Sequence, residues 1–253
     1  MSESGPADLS RLHVVVPLRT LEGGKSRLGE ALDAEERGAL VVGMLCYLLD
    51  AVRAWGAAEA VHVVSPDRTL LHLAAAAGAN PIRQREGDLN AGLRLARTVA
   101  LAGGATALLV LPADLPLVAP DALARFLDAA DAALAAGSGH PLVAIAAADA
   151  RGGTNALLLA PPGVIELAFG PDSLERHLRE AAAAGATVQI VTDPALAFDL
   201  DTPDDLDRLE PWRLADLQAL GEPYVVGPVQ QPAPTQPGDA PVAPGAARRP
   251  PLT

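Results

Sequence analysis

Runs of apolar residues separated by longer amphipathic stretches mark the first half of the chain. Residues 12–18, 60–65 and 107–111 are almost continuously apolar, which is typical of strands buried on both faces of a parallel sheet. The stretches between them have helical features, such as a helix capped by Asp33 and closed by Gly56. This alternation of strand and helix predicts an α/β fold.

The complete pattern predicts a three-layer α/β/α sandwich with a mostly parallel central sheet. The second half is less regular, because its strands follow one another more closely and its helices are shorter. The further predicted strands comprise residues 81–85, 142–146, 156–160 and 187–191. Two further predicted helices end near residues 77 and 103, and a third spans residues 120–136. A fourth begins at residue 173, and the last closes the fold near Trp212.

The length of 253 residues allows one large α/β domain or two small ones. We assign residues 12–220 to a single domain and residues 1–11 to a flexible N-terminus. Residues 221–253 are rich in Pro, Gly, Ala and Gln and contain almost no large apolar residues. Because such a segment cannot bury enough surface to offset its conformational entropy, we predict a disordered tail.

The charge of the chain restricts its partners. A net charge of −12 argues against a nucleic-acid surface, which needs a basic footprint. Any phosphorylated substrate would have to be bound locally, by a few cations, backbone amides or a metal ion. The single Cys46 excludes a disulfide framework. No signal peptide is visible and no apolar run reaches the 18–20 residues of a membrane span, so we expect a soluble cytoplasmic protein.

The loop after the first strand contains paired glycines and several cations, in the order Gly23, Gly24, Lys25, Ser26 and Arg27. Glycines let backbone N–H groups approach phosphate oxygens, and Lys and Arg supply the countercharge. The spacing matches neither a P-loop nor a dinucleotide-binding fingerprint. The residues alone therefore indicate either a phosphate-binding loop or a solvated surface loop.

Three carboxylates are candidate metal ligands. Asp114 follows the apolar run 107–111, where ligands bind in open α/β sheets. Asp199 and Asp201 are two residues apart, so an extended backbone places both side chains on one face. Together the three would suit one or two Mg²⁺ ions. The alternative is helix capping, which is our interpretation for Asp204 and Asp205.

Two turns could form an anion pocket. Residues 152–155 and 170–173 combine glycines with the hydroxyl groups of Thr154 and Ser173, and a helix is predicted to begin at the second turn. The alternative is routine capping by Ser173. The histidines have no metal-ligand spacing and are interpreted as strand, surface or helix residues. They are His13, His62, His72, His140 and His177.

In this order, the motifs resemble the 2-phospho-L-lactate guanylyltransferase family of coenzyme F420 biosynthesis, over about residues 12–210. The motifs that carry the resemblance are Gly-Gly-Lys-Ser-Arg-Leu at 23–28, Gly-Asp-Leu-Asn at 87–90, Leu-Pro-Ala-Asp-Leu-Pro at 111–116, Gly-Gly-Thr-Asn at 152–155, Phe-Gly-Pro-Asp-Ser at 169–173 and Asp-Leu-Asp-Thr-Pro at 199–203. The resemblance implies a nucleotidyltransferase-type fold, related to sugar-nucleotide transferases. It also implies GMP transfer from GTP to a small phosphorylated acid, with release of pyrophosphate.

The resemblance also implies roles for individual residues. Lys25 and Arg27 would contact the GTP phosphates and act in catalysis together with Asp114, and Asn90 would help to hold the nucleoside. The loop residues Gly23, Gly24 and Ser26 would complete the nucleotide site. Asp114, Asp199 and Asp201 would ligate Mg²⁺. Thr154, Gly170 and Ser173 would bind the acceptor acid.

This chain departs from the family at two positions of the phosphate loop. Arg19 stands where the family often has Lys, which keeps a cation but changes its geometry. Glu22 stands where the family has small residues and places an anion beside the phosphates. The sequence therefore leaves open which contacts this loop makes with the phosphates.

Several alternatives remain at the level of sequence. Another nucleotidyltransferase, acting on a sugar phosphate or molybdopterin, would share much of this pattern, and a non-catalytic GTP-binding module is a third reading. The sequence leaves open whether the acid is 2-phospho-L-lactate, phosphoenolpyruvate or 3-phosphoglycerate. The preference for guanine is inherited from the resemblance. We also expect a homodimer, without a residue pattern that requires one.

Overall fold

A computed structural model describes residues 7–21, 25–137, 139–149 and 152–225. The strands are β1 (Leu12–Pro17), β2 (Ala60–Ser65), β3 (Asn80–Arg83), β4 (Ala107–Val110), β5 (Leu142–Ala147), β6 (Thr154–Ala160) and β7 (Thr187–Val191). The helices are α1 (Ala34–Trp55), α2 (Arg68–Ala76), α3 (Leu89–Ala102), α4 (Pro120–Ala136), α5 (Ser173–Ala183), α6 (Pro194–Ala197), α7 (Pro203–Arg208) and α8 (Pro211–Val225). A short 3-10 helix comprises Ser26–Glu30.

The strands form one sheet in the order β3-β2-β1-β4-β6-β5-β7. All neighbouring pairs are parallel except those of β6, which runs antiparallel to both β4 and β5. The prediction of a mostly parallel sheet is confirmed. The position of β6 explains the irregular second half of the sequence, since β5 and β6 follow each other without an intervening helix.

Helices cover both faces of the sheet and complete the predicted sandwich. Buried residues of α1, α2 and α4 pack on the face of β1 that contains Val14 and Val16. Buried residues of α3 and α5 pack on the opposite face, which contains Val15. Alternate residues of β1 thus enter two different cores, which is why this strand is apolar throughout.

The long helix α1 begins at the predicted cap. The Asp33 carboxylate accepts hydrogen bonds from the backbone of Glu35 and Glu36, and the Glu36 side chain accepts one from the backbone of Asp33. By length and composition, and contrary to our expectation from the sequence, this helix would suffice to cross a membrane, with a mean hydropathy of 1.5. However, 67% of that window is buried within the fold, as in the core helix of a soluble protein.

Described structure lies on both sides of residues 12–220, and the domain limits themselves stay a prediction. Residues 7–11 are tied to the sheet, because Asp8 accepts a hydrogen bond from Thr106 Oγ1 (2.8 Å) and Arg11 pairs with Glu59 (2.8 Å). At the other end α8 continues to Val225, beyond the predicted limit at residue 220. Residues 1–6 and 226–253 lie outside the described residues.

The extension of α8 has a packing reason. A methyl group on Gly221 would lie 1.8 Å from the carbonyl oxygen of Ala39, and one on Gly43 would lie 1.7 Å from that of Leu217. The two glycines therefore let the backbones of α1 and α8 approach closely. The Arg213 side chain of α8 also donates two hydrogen bonds to the carbonyl oxygen of Pro116, at 2.9 and 2.8 Å. Helix α8 thereby supports the segment that follows Asp114.

Candidate active site

A cavity of about 440 Å³ opens at the carboxyl ends of β1 and β4, where open α/β sheets bind their ligands. It contains three of the predicted loop residues and two of the predicted carboxylates. Its polar and charged lining comprises Arg19, Thr20, Lys25, Ser26, Arg27, Asp114 and Asp201.

Lys25 lies between two of these carboxylates. Its Nζ is 3.1 Å from Asp114 Oδ2 and 2.7 Å from Asp201 Oδ1, and its side chain is only 9% exposed. Burial by itself would lower the pKa of the Lys25 ammonium, but attraction to the two carboxylates outweighs it and raises the pKa above its ordinary value. Lys25 is therefore a fixed positive charge in the cavity.

Backbone hydrogen bonds bring these distant residues together. The N–H of Leu200 donates to the carbonyl oxygen of Asp114 at 3.0 Å, which joins the segment before α7 to the turn after β4. The Asp205 carboxylate accepts from the N–H groups of Asp201 (3.0 Å) and Thr202 (2.8 Å). The capping role predicted for Asp205 is confirmed, and this cap also orients Asp201.

The predicted metal ligands are only partly brought together. Asp114 and Asp201 converge on one cation, the ammonium of Lys25, and two convergent carboxylates fit Mg²⁺, which usually combines one or two of them with substrate phosphates. Asp199 instead lies 3.4 Å from the Asn155 amide. Within the described residues, no three His, Cys, Asp or Glu side chains group as a metal site. The three-carboxylate site stays a prediction.

The cationic loop enters the cavity at a left-handed turn. Lys25 has φ 52°, ψ 35° and precedes the short 3-10 helix that begins at Ser26. Lys25 is the only lysine among the 19 Lys and Arg residues of the sequence, a signal of a special role that our motif analysis did not use. The predicted nucleotide ligands Gly23 and Gly24, like Glu22, lie outside the described residues.

Asn90 is held by the backbone of Phe169, and its predicted contact with the nucleoside stays a prediction. Its Oδ1 accepts from the N–H of Phe169 (2.9 Å), and its Nδ2 donates to the carbonyl oxygen of Phe169 (3.0 Å). The neighbouring Leu89 and the held Phe169 line the cavity, while Asn90 does not. The structure thus gives Asn90 a supporting position beside this cavity.

The three predicted acceptor residues do not line the cavity, although Gly170 directly follows its lining residue Phe169. The N–H of Ser173 donates to the carbonyl oxygen of Gly170 (3.1 Å), and the N–H of Leu174 donates to that of Gly152 (3.1 Å), which joins the two turns. Gly170 has φ 119°, a conformation that favours glycine. Ser173 is the first residue of α5 and Asp172 is its N-cap, so the alternative of capping by Ser173 is wrong.

His177 lies in a helix, as the sequence analysis allowed, and contacts one of the predicted acceptor residues. It is fully buried on α5, and its Nδ1 is 3.0 Å from the Oγ1 of Thr154, the third acceptor residue. Burial, with a contribution from the positive charge of Arg176, lowers the pKa of His177 to about 4. Its spacing to other histidines carried no signal, because its partners are a hydroxyl and a backbone amide.

Comparison with known proteins decides the family. The model described as "Guanylyl transferase CofC like" matches residues 12–210. The chain belongs to this CofC-like family. The resemblance stated from the motifs is therefore confirmed, over the same residues.

Relatives of this CofC-like protein have the names of guanylyltransferases. A phosphoenolpyruvate guanylyltransferase of Rubrobacter xylanophilus is 47% identical over 196 residues, which are 78% of this chain and 92% of the relative. A 3-phospho-D-glycerate guanylyltransferase of Phenylobacterium zucineum is 40% identical over 187 residues, 72% of this chain and 82% of the relative. The CofC-like protein is thus a nucleotidyltransferase.

Solved structures support the fold. A protein of Desulfovibrio desulfuricans G20, provisionally described as a nucleotide-diphospho-sugar transferase, superposes with a TM-score of 0.65 at 20% identity and covers 85% of this chain and 98% of its own. A nucleotidyl transferase from Methanothermobacter superposes with a TM-score of 0.57 at 19% identity and covers 81% and 98%. The predicted nucleotidyltransferase-type fold is confirmed.

Proposed function

We propose that this CofC-like protein transfers GMP from GTP to phosphoenolpyruvate, with release of pyrophosphate, in coenzyme F420 biosynthesis. The observation that carries the proposal is the position of Lys25 between Asp114 and Asp201 at the carboxyl end of β4, in a chain of this family. Phosphoenolpyruvate is favoured over 3-phosphoglycerate because the relatives with 47% and 43% identity have the name of phosphoenolpyruvate guanylyltransferases.

The chemistry requires alignment of two anions. A phosphate oxygen of the acid attacks the α-phosphorus of GTP, one P–O bond forms, and the bond to the bridging oxygen of pyrophosphate breaks. The acceptor phosphate is already ionised, so no general base is needed. Lys25 and Arg27 would bind the triphosphate and reduce its repulsion of the acid.

A divalent cation fits this arrangement. Asp114 and Asp201 would hold Mg²⁺, with Asp199 as the third predicted ligand. When bound, Mg²⁺ supplies positive charge to phosphate oxygens. Thr154, Gly170 and Ser173 would bind the acid beside Phe169, which lines the cavity.

The first test is pyrophosphate release with Mg²⁺ and GTP, in the presence of phosphoenolpyruvate, 3-phosphoglycerate or 2-phospho-L-lactate. We expect release with phosphoenolpyruvate and GTP, and little with ATP. The Asp114→Asn protein should lose at least about a hundredfold in kcat, because it loses one of two convergent charges, while its melting temperature stays close to wild type. Asp50→Asn, an exposed carboxylate of α1, is the matched control.

Three outcomes would contradict the proposal. Release with a sugar phosphate and none of the acids would favour another nucleotidyltransferase. GTP binding without release under any acceptor would favour a binding module. Near-normal turnover of Asp114→Asn would refute the metal assignment.

We also propose a cytoplasmic protein that binds neither nucleic acid nor membrane, supported by the acidic net charge of −12 and the burial of α1. A homodimer stays a prediction, and light scattering of the purified protein tests it.

A further inference from the structure

His177 lies between a predicted acceptor residue and the wall of the nucleotide cavity. Both of its ring nitrogens are engaged, with Nδ1 at 3.0 Å from Thr154 Oγ1 and Nε2 accepting from the backbone N–H of Ala168 at 3.1 Å. The ring also packs edge-on against Phe169, with the ring centroids 5.1 Å apart. His177 is 0% exposed, so solvent does not reach the ring.

The contacts determine the tautomer of the ring. A backbone N–H can only donate, so Nε2 must accept from Ala168, and the neutral ring carries its hydrogen on Nδ1. The Nδ1–H group then donates to Thr154 Oγ1. Because this oxygen accepts from the ring, the hydroxyl hydrogen of Thr154 is directed to another acceptor. A hydroxyl held in this way is suited to donate to an anion.

His177 and Asn90 hold the wall of the cavity from two sides. His177 holds the backbone of Ala168 from α5, and Asn90 holds both backbone groups of Phe169 from α3. The side chain of Phe169 lines the cavity that also contains Lys25. Consecutive residues are thus fixed where the acceptor turn meets the nucleotide cavity.

We propose that His177 is a positioning residue for the phospho-acid: it orients the Thr154 hydroxyl as a donor to the acid and holds the Ala168–Phe169 backbone between the two substrates. This inference rests on the proposed function, since it takes the acceptor to be an anion bound at Thr154. It assigns a role to a residue that touches neither substrate.

The test uses the full chain, four variants and one matched control variant. His177→Phe keeps a ring of similar size and removes both hydrogen bonds, whereas His177→Asn keeps a donor near the position of Nδ1. Thr154→Val removes the hydroxyl, and His177→Phe combined with Thr154→Val completes a double-mutant cycle. His72→Phe, at an exposed histidine of α2, is the matched control.

We expect His177→Phe to raise KM for phosphoenolpyruvate at least tenfold while the Kd for GTP, measured without acid, stays within twofold of wild type. The double variant should lose less than the sum of the two single losses, because the effect that the ring exerts through the hydroxyl is already absent in Thr154→Val. His177→Asn should recover part of the loss. A role in stability alone would lower the melting temperature without this split between acid and nucleotide.

An unchanged KM in folded His177→Phe, or losses that simply add in the double variant, would overturn the inference. If His177→Phe fails to fold, the cycle is completed with His177→Asn, and additivity there has the same meaning. If the wild-type protein converts none of the acids, the proposed function is refuted, and the inference needs a separate test. Calorimetric titration with phosphoenolpyruvate then decides the inference, which is refuted if wild type and His177→Asn bind the acid equally or not at all.

Discussion

Lys25 lies between the two carboxylates that we propose as ligands of a divalent cation. The ammonium compensates Asp114 and Asp201 at 3.1 and 2.7 Å, and the carboxylates in turn keep it charged despite its burial. Two cations cannot occupy the same position. If the proposed Mg²⁺ binds between the two carboxylates, we expect it to displace Lys25, which would then be available to the triphosphate.

Replacing Lys25 by Met should tighten metal binding in the absence of nucleotide. Two carboxylates without their ammonium attract a divalent cation more strongly, and we expect the Kd for Mn²⁺ to fall about tenfold, or about 1.4 kcal/mol. Electron paramagnetic resonance titration of free Mn²⁺ measures this directly. Lys25→Arg, which keeps the charge, should bind Mn²⁺ much as wild type does. Weaker or equal binding to Lys25→Met would show that metal and lysine do not compete.

Within the sheet, strands β1 and β2 are linked by a buried histidine pair on the face covered by α3. His13 Nδ1 is 3.0 Å from His62 Nε2. The other ring nitrogens, His13 Nε2 and His62 Nδ1, have no hydrogen-bond partner among the described residues. Burial lowers the pKa of both rings, and His13 lowers that of His62 further. Burial therefore favours the neutral form of both rings in the folded protein.

This pair should make stability depend on pH. Because the folded pKa values lie below the unfolded value of about 6.5, the unfolded chain binds more protons as pH falls. The contribution of the neutral rings to the free energy of unfolding is complete above pH ~6.5. It is lost as the pH falls through the pKa values of the folded protein. Urea unfolding at pH 7.5 and 5.5 measures the change. His177, whose pKa is also lowered, acts in the same direction.

Variants separate the pair from the other titrating groups. Replacing both His13 and His62 by Leu should reduce the difference in unfolding free energy between the two pH values. His72→Gln, at an exposed position, should keep the wild-type difference. An unchanged difference in the double variant would assign the pH dependence to other groups.

Helix α8 depends on a close approach that only glycine allows. Gly221→Ala would place a methyl group 1.8 Å from a backbone oxygen of α1, and a backbone atom cannot yield as a flexible side chain can. We expect a loss of about 1–3 kcal/mol in unfolding free energy, as for other overpacked sites. Gly163→Ala is the matched control, since nothing lies within 4 Å of the added methyl group. Equal stability of the two variants would mean that α8 does not dock on α1 in solution.

For the molecule as a whole, α8 decides where the domain ends. Deletion of residues 226–253 should leave activity unchanged and the melting temperature within about 2 °C, because the composition of this segment predicts no contribution to the core. Deletion of residues 211–253 also removes Leu217 and Arg213, which contact α1 and Pro116. We expect that protein to melt well below wild type, by about 2–4 °C for each kcal/mol lost. A thermal melt of both truncated proteins, with the pyrophosphate assay, distinguishes these cases.

The sequence by itself determined what depends on near neighbours in the chain. The apolar runs at β1 and β4, the capping box at Asp33 and the strand–helix alternation fixed the α/β class, since periodicity and capping act within a few residues. The ordered motifs determined the family, and the position of Asp114 after a buried strand indicated the end of the sheet where the cavity lies.

Only the tertiary structure decided which distant groups meet. Lys25 and Asp201 are separated by 176 positions, and their contact depends on the sheet order and on the bond between Leu200 and Asp114. The antiparallel course of β6, the engagement of Asn90 by Phe169 and the buried bridge of His177 have the same origin. Each depends on which strands and helices become neighbours, and that is set by packing of the whole core rather than by any local pattern.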